Sequence, residues 1–122
     1  MATSVIDNTY LTSKLFFEDD LDSGPFNNVT NGPATVHSIT VLNGGNANVL
    51  YLKIYDTDEE ITAGTTEEDY KFRITASKDA TITFGSAGLT IVNGLTVRLV
   101  QGEATSSTDD PQANIITEIT YS

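Results

Sequence analysis

The sequence predicts an all-β protein, an antiparallel β-sandwich of the jelly-roll kind with an irregular N-terminal arm. Segments rich in β-branched residues recur at short intervals, Gly, Asn and Asp punctuate them, and no stretch shows helical periodicity with caps. At 122 residues the chain has the length of a single domain. We therefore predict one folding unit in which residues 1–33 form an arm or an edge-strand segment and residues 34–122 form the sandwich.

The N-terminal part of the chain lacks regular alternation. Short apolar pieces at residues 5–6 and 15–17 are followed by an acidic cluster at 18–22 and by turn residues up to Pro33. Such pieces are typical of edge strands or of an arm that lies on a neighbouring molecule, and the pattern leaves both interpretations open.

Beyond the arm, the alternation of apolar and polar residues predicts successive strands. In one of them Leu50, Leu52 and Ile54 share one face, and an acidic, Thr-rich loop at 56–68 separates this strand from the next. Gly and Asn residues predict tight turns between several of the others. The predicted strands are 36–42, 47–55, 70–75, 81–84, 89–92, 95–100 and 115–121.

Composition argues against several classes of function. The net charge of −11, from 17 acidic and 6 basic residues, disfavours nucleic-acid binding because phosphates are repelled, and it keeps a protein soluble. The absence of cysteine removes thiol catalysis and the common zinc sites. Apolar stretches of only a few residues predict no membrane span, and the N-terminus has no secretory signal pattern.

Residues suited to catalysis are few. His37 is the single histidine, and it lies in a predicted strand without a nucleophile-elbow motif, so an ordinary strand histidine is expected. Every acidic cluster lies in a predicted loop or chain end, where the burial that raises a carboxyl pKa is not expected. We therefore predict a protein that is not an enzyme and needs no cofactor. The catalytic alternative is a hydrolase that uses the loop carboxylates Asp56 and Asp58.

One acidic spacing is compatible with a metal site. Asp56, Asp58, Glu60 and Glu67 match oxygen-ligand positions of an EF-hand loop, but Ile61 stands where that loop needs glycine and no helices flank it. The pattern therefore argues against an EF-hand. It leaves two interpretations open, a solvated loop and an adventitious or inter-subunit divalent-cation site.

Aromatic and amide side chains suggest a carbohydrate platform. Asn46, Asn48 and Tyr51, or Tyr55 and Tyr70, carry the groups with which β-sandwich lectins stack on sugar faces and bind hydroxyls. Because Trp is absent and aromatic residues make up only 8% of the chain, packing in the core or at a sheet edge is the favoured interpretation of these rings.

Two stretches of the chain carry a further pattern. The residues concerned are 49–56, 62–66, 94–97, 102 and 108–110. Their pattern resembles that of small β-sandwich virion proteins of tailed phages, which include capsid decoration (cement) proteins and parts of fibres and tails. That family pattern has proline in the 56–66 loop and before the following strand, where this chain has acidic pairs. The resemblance implies packing rather than chemistry, so no catalytic or ligand residue is carried over.

The resemblance implies a virion structural protein, in first place a capsid decoration protein that binds the outer surface of the phage head and bridges neighbouring major capsid subunits. Its expected partners are the major capsid protein and copies of itself in a homotrimer, without nucleic acid or membrane. Its expected location is the virion, after synthesis in the host cytoplasm. Apolar residues outside the predicted core need a partner. The predicted interface residues are Phe16, Phe17, Phe26, Tyr51 and Tyr55.

The sequence is compatible with two other functions. A tail, fibre or head-fibre domain would bind a host-surface glycan, with Tyr51 as the residue to test. A bacterial extracellular adhesion domain would need an export signal, and the N-terminus shows none.

Overall fold

Two antiparallel sheets packed face to face form the protein in the computed structural model, which describes residues 13–122 and the backbone of residues 3–7. These described residues contain nine strands and no helix. The strands are β1 Thr3–Asp7, β2 Lys14–Glu18, β3 Ala34–Leu42, β4 Leu50–Asp56, β5 Tyr70–Ile74, β6 Ala80–Thr83, β7 Leu89–Ile91, β8 Leu95–Val100 and β9 Ile116–Tyr121. The prediction of an all-β antiparallel sandwich is confirmed, while the jelly-roll connectivity stays a prediction.

The large sheet has the strand order β1-β2-β9-β3-β6, with β7 also paired to β3. The small sheet has the order β5-β4-β8. In the large sheet β3 is central, because β9 pairs along one of its sides and β6 and β7 share the other. The register between β3 and β9 shifts between Val36 and Ser38, so His37 lies in a bulge.

The core lies between the sheets and follows from the alternation within each strand. Leu50, Leu52 and Ile54 of β4 are fully buried, as their shared face predicts. The large sheet contributes Ile39 and Ile119 from neighbouring strands, also fully buried. Burying each such side chain contributes roughly 1.5–3 kcal/mol to folding.

The turn before β4 is longer than the sequence pattern indicates. Asn43 is fully buried. Its side-chain nitrogen donates to the carbonyls of Asn48, at 3.1 Å, and Thr75, at 3.0 Å, and its oxygen accepts from the Asn46 side chain at 2.9 Å. Because these bonds hold the chain in a turn, β4 begins at Leu50 and not at residue 47.

Part of the predicted N-terminal arm is built into the large sheet. β1 forms one edge of this sheet, and β2 lies between β1 and β9. Phe16, at the centre of β2, is 1% exposed and belongs to the hydrophobic core. Residues 1–2 and 8–12 of the predicted arm lie outside the described part of the chain.

The chain after β2 joins the two sheets along one side of the sandwich. The Asp22 carbonyl accepts a hydrogen bond from the Leu99 N–H at 2.8 Å. Phe26 and Val97 exchange two backbone hydrogen bonds of 2.9 and 3.1 Å. We call residues 21–29 the bridging segment. It pairs with the free edge of β8 and so protects backbone groups that an edge strand otherwise exposes.

Candidate docking surface

The outer face of the small sheet holds two cations that are shielded from solvent. Lys53 of β4 and Arg98 of β8 are cross-strand neighbours, and both are 0% exposed. The Arg98 guanidinium donates to the Ser107 carbonyl at 2.9 Å and to the Thr105 carbonyl at 3.1 Å. The Lys53 ammonium donates to the Ala104 carbonyl. The loop 101–110 therefore covers this face.

Two further side chains complete this arrangement. The Arg98 Nε–H donates to the Tyr55 hydroxyl at 2.7 Å. One carboxylate oxygen of Glu68 lies 4.0 Å from the Lys53 Nζ, and the other accepts a hydrogen bond from the Thr105 hydroxyl at 3.0 Å. We call Lys53, Tyr55, Glu68 and Arg98 the clamp, because together they tie the loops on either side of this face to the sheet.

The clamp has the pKa pattern of buried structural groups. Burial lowers the pKa of Lys53, and the nearby Glu68 charge offsets only part of this effect. Burial acts to raise the pKa of Glu68, but the hydrogen bonds from its own backbone N–H and from Thr105, together with the Lys53 charge, outweigh it and hold the pKa below its ordinary value. Burial raises the pKa of Tyr55. Since the cations are sealed under a loop, this cluster orders the loops and does not present a reactive group.

Three of the predicted interface residues find their partners within the chain. Phe16 and Tyr55 are each 1% exposed, so the expectation that they lie outside the core is wrong. Phe16 is buried because it lies on the face of β2 that points to the core, and Tyr55 is buried because the loop 101–110 covers its face. Phe26 packs against the core and edge-on to Phe16, with ring centroids 5.8 Å apart. Phe17 and Tyr51 remain partly exposed.

Asp56 anchors a turn of its own chain. Its carboxylate accepts the backbone N–H groups of Val92 at 2.9 Å, Asn93 at 2.8 Å and Gly94 at 3.4 Å. Partial burial acts to raise the pKa of Asp56, but these three donors outweigh it and hold the pKa below its ordinary value. A general acid needs a raised pKa, so the geometry argues against the hydrolase alternative.

The other proposed cation ligands do not join Asp56. Asp58, Glu60 and Glu67 are exposed. Within residues 13–122, no group of three or more His, Cys, Asp or Glu side chains is placed to hold a metal ion. The four acids of the EF-hand-like spacing therefore form no shared site within one chain.

His37 forms a hydrogen-bonded pair with a serine. Its Nε2 lies 2.8 Å from the Ser122 hydroxyl, at an exposed position. No described carboxylate hydrogen-bonds to the other ring nitrogen. The pair therefore lacks the third group that orients the base in nucleophilic catalysis.

The residues of the predicted carbohydrate platform are not brought together. Asn46 is 4% exposed and its side chain bonds to Asn43. The Asn48 side-chain nitrogen is buried, without a hydrogen-bond partner among the described residues. Tyr55 and Tyr70 lie on opposite faces of the small sheet, because Tyr70 is in register with the inward-facing Ile54, the residue before Tyr55.

A different surface stands out on the large sheet. In β2, β6, β9 and the part of β3 after the bulge at His37, the alternation of buried and accessible residues defines the side chains that point away from the core. We call them the hydroxyl face, since half of them are Ser or Thr. They are Leu15, Phe17, Ser38, Thr40, Leu42, Thr81, Thr83, Ile116, Glu118 and Thr120. Glu118 is the one charged residue among them.

One row of hydroxyls crosses three adjacent strands of this face, and a second row, of Thr40 and Thr81, crosses two strands and meets Glu118 on β9. The register places Thr120, Ser38 and Thr83 side by side on β9, β3 and β6. Neighbouring hydroxyls bond to each other, with 2.7 Å between the Ser38 and Thr120 oxygens and 3.2 Å between those of Thr40 and Thr81. Sequence reasoning missed this face, although hydroxyl residues alternate with apolar ones in β3 and β6.

Acidic residues concentrate on the opposite side of the sandwich. The loops 57–69 and 101–110 lie close together there. The space at Gly64 is so small that an added Cβ atom would lie 3.3 Å from the Ser106 carbonyl oxygen. The exposed acids of these loops are Asp58, Glu59, Glu60, Glu67, Asp69, Glu103, Asp109 and Asp110. The protein therefore presents one acidic side and one nearly uncharged side.

Comparison of the chain with protein-family models, with curated proteins and with solved structures finds no match. Among the described residues there is no helix of the length and apolarity that crossing a bilayer requires.

Proposed function

We propose that the protein is a non-enzymatic phage virion component, a capsid decoration protein that binds the outer surface of the head and bridges neighbouring major capsid subunits. The observation that carries the proposal is the hydroxyl face, which has one charged residue in a chain of net charge −11. The expected partners are the major capsid protein and further copies of this chain in a homotrimer.

A nearly uncharged face suits docking on a protein surface. Taking a charged group out of water costs free energy unless that group is paired, whereas hydroxyls that already bond to each other lose little when water leaves. The Leu15, Phe17 and Leu42 side chains add apolar area to the same face. The acidic loops would then point away from the head and keep the decorated particle dispersed.

The clamp supports the same proposal. A decoration protein needs a rigid body whose docking face does not change shape on binding. Arg98 alone makes three hydrogen bonds that fix the loop 101–110 and Tyr55. The side of the molecule opposite the docking face is thus ordered without a partner.

Purified heads that lack the protein test this proposal. We expect the protein to cosediment with expanded heads, to raise the temperature at which they release DNA, and to bind with weak dependence on salt, because the contact contains few charges. Failure to bind, together with equal heat resistance of heads with and without the protein, would refute the proposal. Binding that is abolished by moderate salt would assign the contact to the acidic loops instead.

A tail or fibre domain that binds a host-surface glycan is the alternative. Tyr51 favours it, because this ring is partly exposed on the small sheet directly opposite the exposed Arg73. An aromatic ring beside a guanidinium suits a sugar that carries a carboxylate. Binding on a glycan array that is lost in Tyr51→Ala would support this alternative, and binding to no glycan would exclude it.

A further inference from the structure

The chain contains three Asn-Gly dipeptides, at residues 31–32, 43–44 and 93–94. In this dipeptide the glycine nitrogen can lose its proton and attack the asparagine side-chain carbon. The new C–N bond closes a succinimide ring, ammonia leaves, and water then opens the ring to aspartate or isoaspartate. Glycine favours the reaction because no Cβ atom obstructs the approach. The reaction needs a free asparagine side chain, a glycine N–H that can be released, and room for the backbone to turn.

Asn43 meets none of these requirements. It is 0% exposed, and both ends of its side chain are held by hydrogen bonds, to the carbonyls of Asn48 and Thr75 and from the side chain of Asn46. The following N–H, of Gly44, donates to an Asp79 carboxylate oxygen at 2.8 Å. Ring closure here would require several hydrogen bonds to break together.

Asn93 meets one requirement. Its side chain is exposed, but the next residue has no room to move. A Cβ atom on Gly94 would collide with the Asn28 side-chain oxygen and lie 3.0 Å from the Thr57 carbonyl oxygen. The Asp56 carboxylate also accepts the Asn93 and Gly94 N–H groups, at 2.8 and 3.4 Å. A neighbouring negative charge opposes deprotonation of the glycine nitrogen.

Asn31 meets the requirements best. It is exposed, and its side chain makes no hydrogen bond to another described residue. Apart from its two chain neighbours, no residue has an atom within 4 Å of the position of a Cβ atom on Gly32, so the backbone has room to turn. The Gly32 N–H donates at 2.9 Å to the side-chain oxygen of Asn28, which is a neutral acceptor. This single hydrogen bond is the restraint that the reaction has to overcome.

We propose that Asn31 is a site of spontaneous deamidation in the folded protein, with water as the only co-reactant. The product carries one more negative charge, and isoaspartate adds a methylene group to the backbone. Thr30 links this site to the end of the bridging segment, since its hydroxyl accepts from the Leu95 N–H at 3.1 Å and donates to the Gly32 carbonyl at 2.8 Å. A longer backbone at residue 31 separates these two contacts, so the modification loosens the bridging segment from β8.

The test is peptide mapping by mass spectrometry after incubation at mildly alkaline pH, with folded protein and a urea-unfolded sample in parallel. In the folded protein we expect Asn31 to convert first and Asn43 at least roughly tenfold more slowly, because several hydrogen bonds protect Asn43. In urea the three rates should converge. Faster conversion of Asn93 or Asn43 in the folded protein would overturn the proposal, as would an order in urea equal to that in the folded state.

A pair of variants tests the site independently. Asn31→Gln should remove the acidic species that appears first on isoelectric focusing, while Asn93→Gln, at the other exposed dipeptide, should leave it. Both positions are exposed, so neither substitution disturbs a buried contact. Loss of the early acidic species in Asn93→Gln, or its persistence in Asn31→Gln, would place the modification elsewhere.

Discussion

The outer face of the small sheet carries two fully buried cations beneath a loop, whereas the residues of the hydroxyl face on the large sheet include one charged residue and remain accessible. The first face is completed by its own chain, through the carbonyls of residues 104, 105 and 107. On the second face, neighbouring hydroxyls form hydrogen bonds with each other, so these groups need no charged partner. The difference separates a face that orders its own chain from a face that, in the proposed function, contacts another molecule.

Removing the guanidinium of the clamp should have the largest effect on stability. Arg98→Met leaves the Thr105 and Ser107 carbonyls and the Tyr55 hydroxyl without their donor, and we expect a loss of about 3–5 kcal/mol in the free energy of unfolding. Urea denaturation measures it. The matched control is Arg73→Met, an exposed cation on the same face, which should change stability by about 0.5 kcal/mol or less. Equal effects of the two substitutions would show that the clamp does not hold the loop.

The Asp56 anchor should contribute the next largest amount. Asp56→Ala removes the charged acceptor of three backbone N–H groups, two of which are exposed and can bond to water instead, and we expect a loss of about 2 kcal/mol at neutral pH in urea denaturation. Asp58→Ala, which changes an exposed acid two residues away, is the control and should be nearly neutral.

The same anchor predicts a pH dependence. The pKa of Asp56 is lower in the folded state than in the unfolded state, so below the ordinary aspartate pKa the unfolded chain binds more protons. The contribution is therefore complete above that pKa and is lost as pH falls through the lowered folded value. Asp56→Ala should flatten the stability profile in this acidic window. A variant profile with the wild-type slope would contradict the assignment.

Phe26 and Phe17 allow a comparison between the bridging segment, which packs on the core, and the hydroxyl face, which is accessible. Phe26→Ala removes a ring of the bridging segment that packs on the core, and we expect a loss of about 2 kcal/mol in urea denaturation. Phe17→Ala removes a ring from the hydroxyl face and should cost less than about 1 kcal/mol, because that ring is not part of the core. The reverse order would mean that Phe17 has an internal role.

The alternation of apolar and polar residues predicts the strands and their inward faces. It does not predict that a loop covers the outer face of the small sheet. The sequence pattern places Leu50, Leu52 and Ile54 on one face, and all three are buried. Lys53 and Arg98 occupy the opposite positions, which a pattern of alternation assigns to solvent. They are buried because a polar loop folds back over them, and composition alone does not reveal that contact.

The candidate sites also depend on contacts between residues that are distant in sequence. Asp56 has the spacing of a metal ligand, but its partners begin at Val92, 36 residues further along the chain. The hydroxyl face is visible in each strand separately, in Ser38 with Thr40 and in Thr81 with Thr83. It becomes a surface only because β9, β3 and β6, which are distant in sequence, lie side by side.

Head binding by two matched variants tests the central claim most directly. Thr83→Asp places a charge on the hydroxyl face, and Thr65→Asp places the same charge on the acidic side; both residues are exposed, so both variants should fold normally. We expect Thr83→Asp to weaken binding to capsid heads by at least roughly tenfold, because an unpaired carboxylate would have to leave water, and Thr65→Asp to bind like the wild type. Wild-type affinity in Thr83→Asp with loss of binding in Thr65→Asp would contradict the account.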